Sequence, residues 1–97
     1  MTRIYGEPRW EHKNLTWEGL RSLHGSLSLP WLALGDFNEI LFHHEKEGGR
    51  VRSQSQLQAF QTTLMDCELA DIGYLGDVFT WQRGRIRERL DRGVANT

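Results

Sequence analysis

The 97-residue sequence carries a single cysteine, Cys67, and only two prolines. One thiol excludes an internal disulfide framework and a cysteine-rich zinc module. Long hydrophobic runs are missing too. The longest, Leu29 to Leu34, is interrupted by Pro30 and falls far short of the ~20 apolar residues that cross a bilayer. Met1 to Pro8 contain no apolar stretch, so no secretory leader is expected. The sequence thus points to an intracellular chain, nuclear or cytoplasmic, with no membrane partner.

What remains is ordinary for a globular chain: 38% hydrophobic and 26% charged residues. At this length folding buries only about 60–65% of the surface that the unfolded chain exposes, so a single domain with a modest core is the ceiling. The net charge of −1 hides an asymmetry. Residues 1–81 hold seven basic and eleven acidic side chains, a balance of −4. Residues 82–97 hold Arg83, Arg85, Arg87, Arg89 and Arg92 against Glu88 and Asp91, a balance of +3. Arginine binds phosphate through a planar two-pronged donor set. This segment reads either as a solvated strand-and-loop face or as an edge that contacts phosphates.

No internal repeat or low-complexity tract divides the chain. Arg3 to Tyr5 predict the end of a strand, closed by Gly6 and Pro8. Trp17, Leu20, Leu23 and His24 recur at helical spacing, capped by Asn14 or Thr16 and stopped by Gly25. Pro30 to Leu34, apolar without alternation, predict an interior strand covered on both faces. His43 to Arg52 read as a loop broken by Gly48 and Gly49. Ser53 and Gln56 form a capping box, followed by the helical stripe Leu57, Phe60, Leu64 and Cys67 or Glu68. Phe79, Thr80 and Trp81, between Gly76–Asp77 and Arg83–Gly84, signal a hairpin, with residues 87–95 as a further strand. Strand, helix, strand, helix and hairpin in that order give an α/β or α+β fold.

Three constellations could carry chemistry. Gly35 permits a sharp turn, and Asp36 and Asn38, two apart, project to one side of an extended segment. A carboxylate there could deprotonate a water or share a metal, and a carboxamide could donate to a phosphoryl oxygen without adding charge. The same pattern also suits an Asx turn closing a strand. Asp91, among arginines, reads as a surface ion-pair partner or as a carboxylate that orients a histidine, with Leu90 pointing inward and Arg89 and Asp91 outward. His43, His44 and Glu45 look like metal ligands, but adjacent residues chelate one ion poorly and an exposed loop is the simpler reading. Cys67 reads as a buried thiol. Trp81, beside the arginines, is the tryptophan placed to stack on a base.

Taken together, Trp31 to Ile40, Glu45 to Gly49, Leu69 to Trp81 and Arg89 to Arg92 resemble the endonuclease/exonuclease/phosphatase superfamily. More narrowly they resemble the endonuclease domain of plant LINE-type (non-LTR) retrotransposons, related to apurinic/apyrimidinic endonucleases. The resemblance runs from Tyr5 to Asn96. It implies a DNase I-like four-layer α/β sandwich and Mg²⁺-dependent cleavage of phosphodiester bonds in DNA. Asp36 then matches the aspartate that activates the attacking water, Asn38 the asparagine on the scissile phosphate, Asp91 the aspartate behind the catalytic histidine, and Tyr5 a tyrosine near the phosphate. Trp81, Arg83, Arg85 and Arg87 would contact DNA. The family's metal-binding glutamate lies in an early strand and its histidine in a final Ser-Asp-His motif, neither of which is in these 97 residues, so no metal ligand is assigned here. The resemblance implies the middle-to-late part of a domain about twice this length, weak or inactive alone. Its unpaired sheet edges would invite self-association.

Overall fold

The computed structural model describes residues 1–26, 30–72 and 79–96. Four strands form the larger sheet: β1 (Thr2–Tyr5), β2 (Leu32–Asp36), β4 (Ala70–Asp71) and β7 (Asp91–Ala95), in the order β1-β2-β7-β4. β1 and β2 run parallel and β7 runs antiparallel to both β2 and β4. A parallel pair needs a crossover, which α1 (Lys13–Ser26) supplies. A second, antiparallel sheet holds β3 (Lys46–Glu47), β6 (Ile86–Glu88) and β5 (Trp81–Arg83), in the order β3-β6-β5. Both helices, α1 and α2 (Gln54–Asp66), cover one face of the larger sheet. The class is mixed α/β with two helices and two sheets.

Alternation along the strands sets that face. Ala33 and Val94 are register partners, and both join Trp17 and Leu20 of α1, Phe60 and Leu64 of α2, and Trp31, Phe37, Cys67 and Leu69 in one buried cluster. Among the described residues no helix covers the other face of the sheet. Leu32 and Leu34 are only half-buried there, and Leu34 and Ile72 lie over Gly93, where a Cβ would come within 2.7 Å and 3.0 Å of them. The expected strand through Leu34 is therefore interior to its sheet, but among the described residues both helices lie on one of its faces and neither on the other.

Several boundaries differ from the expectation. α1 starts at Lys13, so Asn14 and Thr16 lie inside it; the Thr16 hydroxyl instead accepts from the Glu7 amide at 2.9 Å. Gly25 does not stop this helix, which continues to Ser26. The Ser53–Gln56 capping box is present as read. Residues 87–95 are not one strand. The chain turns at Arg89 and Leu90 and passes from β6 in one sheet to β7 in the other. Val78, the Gly76–Asp77 boundary, the segment 73–77 of the family-like motif and Leu29 lie outside the described residues. No helix among the described residues is long and apolar enough to cross a membrane.

Candidate functional site

β2 ends at Asp36, and the sheet register sets what surrounds it. Asp36 pairs with Asp91 of β7 on one side and with Tyr5 of β1 on the other. Three of the sequence candidates thus stand side by side across three strands, and directly opposed residues share a face. Gly35 makes the approach of β1 possible: at φ +140°, a Cβ there would lie 2.2 Å from the Ile4 carbonyl oxygen.

Beyond Asp36 the chain turns back on itself. Asn38 has φ +54°, a left-handed conformation that asparagine tolerates better than most residues. Its backbone amide donates to Asp36 Oδ1 at 2.8 Å, which is the Asx-type turn that the sequence left open. Its side-chain Nδ2 donates to the Gly6 carbonyl at 2.7 Å, and the Gly6 amide donates to the Asp36 carbonyl at 2.6 Å. Lys13 Nζ donates to the Asn38 carbonyl. Phe37 donates its amide to the Leu90 carbonyl at 2.9 Å, and the Thr80 hydroxyl accepts from both the Leu90 and Asp91 amides at 3.0 Å. The backbone of Asp36, of Asn38 and of Asp91 is thus each held by a hydrogen bond to a different part of the chain.

The electrostatics follow from this crowding. Burial pushes the Asp36 carboxyl above its ordinary value, with the Asp91 carboxylate adding to the rise, against the Asn38 amide and Lys13, which favour the charged form. A carboxyl raised on folding costs stability as pH climbs from its unfolded value through its folded one, because the native state then holds a proton that the unfolded state has released. Asp36→Asn should therefore be more stable than the parent at neutral pH. The difference should shrink as pH falls below the carboxylate range, and urea unfolding at stepped pH values measures it.

The arginine segment is not one exposed face. Arg83 and Arg85 are exposed on the β5–β6 hairpin. Arg87 pairs with Glu47 and lies 4.6 Å over the Phe79 ring, so it is already engaged. Arg89, expected outside, is buried together with Arg92, and both are held by Glu45 and Asp71. The turn at Leu90 puts Arg92 on the helix-covered face. Glu45 is consequently an arginine partner rather than one of a loop triplet, while His44 stacks on Phe42 and His43 meets Gln54 at 3.2 Å. Cys67 is buried, and burial raises its thiol pKa.

Sequence reasoning missed a second ion network beside Asn38. Glu39, fully buried, pairs with Arg52 at 2.6 Å and Lys13 at 3.5 Å; Glu88 takes Arg52 at 2.7 Å and Lys46 at 3.2 Å. These five residues come from five separate places in the chain, so no spacing announces them. Among the described residues no three His, Cys, Asp or Glu side chains are placed to share a metal; an ion at this corner would rest on Asp36 and Asp91. Compared with known protein families, curated proteins and solved structures, the chain finds no match.

Proposed function

We propose that this chain carries part of a Mg²⁺-dependent phosphodiesterase centre of the DNase I-like kind, acting on DNA and of retrotransposon origin. The observation that carries the reading is the register that sets Asp91 directly opposite Asp36 at the end of β2. Two carboxylates on adjacent strands, neither in an ion pair among the described residues, fit Mg²⁺, which takes one or two protein carboxylates and completes its shell with waters and substrate phosphate. When bound, the ion would neutralise charge on the phosphodiester.

The remaining chemistry belongs to the chain. Asp36 spends Oδ1 on the Asn38 amide, which leaves Oδ2 to face the ion and to orient an attacking water beside it. Asn38 uses one Nδ2 hydrogen on Gly6 and keeps a second to donate to a phosphoryl oxygen. Tyr5, 81% exposed, can reach the same phosphate. Arg83 and Arg85, with Trp81, supply contacts to the DNA backbone. The face of the larger sheet away from the helices, with Leu32, Leu34 and Ile72 on it, suits one half of a four-layer sandwich, and β1, paired on one side only among the described residues, is an edge at which copies could associate.

Mn²⁺, a paramagnetic stand-in, tests the centre whether or not turnover is measurable. Water-proton relaxation should report Mn²⁺ binding in the presence of a phosphorothioate oligonucleotide, weakened about tenfold or more in Asp36→Asn and in Asp91→Asn, since each removes a charged ligand. Supercoiled plasmid with Mg²⁺ should show little or no Asp36-dependent nicking. Ion binding indifferent to both substitutions would sink the reading.

A further inference from the structure

A cleft of about 540 Å³ opens beside Asn38, walled by Trp10, Trp81, Lys13, Arg52 and Leu90. Its size lies within the ~300–1,000 Å³ of ligand sites. The placement of its tryptophans is unusual. Trp17 and Trp31 are buried in the core, but Trp10 is 73% exposed and Trp81 38%. Neither indole is held out of water by the fold, and both border the same space.

The floor of the cleft is charged. Its lining carries three basic side chains, Arg9, Lys13 and Arg52, against the carboxylates Glu11 and Glu88, with the buried Glu39 behind Lys13 and Arg52. Burial lowers the Lys13 pKa, and an anion alongside would offset that. A second hollow of about 300 Å³ shares Trp10, Lys13 and Gln56, so the indole of Trp10 stands between two open spaces.

We propose that this cleft holds an unstacked nucleotide, its base against Trp10 and Trp81 and its phosphate toward Lys13 and Arg52, so that the chain prefers single-stranded to fully paired DNA. Indoles offer flat apolar faces, and a base can use them only when its own face is free. In a duplex that face is covered by neighbouring bases, and duplex readers instead insert a helix or ribbon into a groove. Through Asn38, which lines the cleft and follows Asp36 by two residues, the inference deepens the function proposed above and rests on it for the link to cleavage. The binding itself depends on different residues.

Fluorescence anisotropy with a labelled single-stranded 12-mer and its blunt duplex, in EDTA, separates the two claims, because no ion can then act at Asp36 and Asp91. The single strand should bind at least tenfold more tightly than the duplex. Trp10→Ala and Trp81→Ala should each weaken single-strand binding about five- to 100-fold; Trp10→Ala should leave duplex binding unchanged, and Trp10→Phe should restore most of the loss. Trp10 is exposed, so its variants keep the core, which circular dichroism checks. Equal affinity for both forms, or single-strand binding unaltered in Trp10→Ala, overturns the proposal. Failure of the Mn²⁺ experiment alone would overturn only the catalytic reading.

Discussion

Glu45→Leu should lower the folding stability of this chain by about 3–5 kcal/mol, the usual cost of stranding one member of a buried ion pair. Glu45 is 2% exposed at its side chain. Its Oε1 receives Arg92 Nη2 at 2.6 Å and the Leu41 amide at 2.7 Å, and its Oε2 receives Arg92 Nη1 at 3.1 Å and Arg89 Nη1 at 3.4 Å. Without it the buried Arg89 and Arg92 guanidinium groups lose the carboxylate that they share, while Asp71 continues to pair with both. Native stabilities of about 5–15 kcal/mol leave little after such a loss. The check is a urea unfolding midpoint that falls at unchanged slope. Pairing the change with Arg92→Met should recover a good part of it, because the cost lies in the uncompensated charge rather than in the pair. By contrast, removing Asp66 from its exposed pair with Arg21 should change the midpoint by less than about 1 kcal/mol.

The second large effect belongs to Phe60. Its ring is fully buried, stacked 4.7 Å from Trp17, tilted at 5.3 Å from Phe37, and beneath the Arg92 guanidinium at 5.3 Å. Phe60→Ala should cost about 3–5 kcal/mol, from lost burial plus the cavity left behind. Because Phe37 sits between Asp36 and Asn38, the damage should also reach the candidate site. Amide exchange at Phe37 and Asn38 should accelerate more than global destabilisation explains, whereas Phe60→Leu should keep the site's protection and lose less stability.

Local signals in the sequence were read well where local physics decides. The Ser53–Gln56 box and the stripe from Leu57 to Cys67 are set within one helix, and both are as their spacing implied. That Leu32 to Leu34 form a strand was legible from the apolar run alone, but its continuation through Gly35 to Asp36 and the placing of both helices on one of its faces were not, because strand partners and helix packing set them. The turn at Arg89 and Leu90 was not legible. It exists because the Leu90 carbonyl receives the Phe37 amide and the Leu90 amide is taken by Thr80, partners far away in sequence. That one turn carries Arg92 inside, and so a segment that looked like a row of arginines splits into exposed, engaged and buried members. Asp36, Asn38, Asp91 and Tyr5 could be nominated one by one, but their meeting depends on strand order, which single-strand patterns do not encode. Trp10, Lys13 and Arg52 gave no signal at all, since an isolated tryptophan and two basic residues in separate segments form no motif.

The Thr80 hydroxyl has a mechanical consequence. One oxygen fastens the root of the hairpin that bears Trp81 to the two amides that open β7. A displacement of that hairpin therefore reaches Asp91 by two routes, through this one oxygen and through Arg89 and Leu90, the two residues that join β6 to β7.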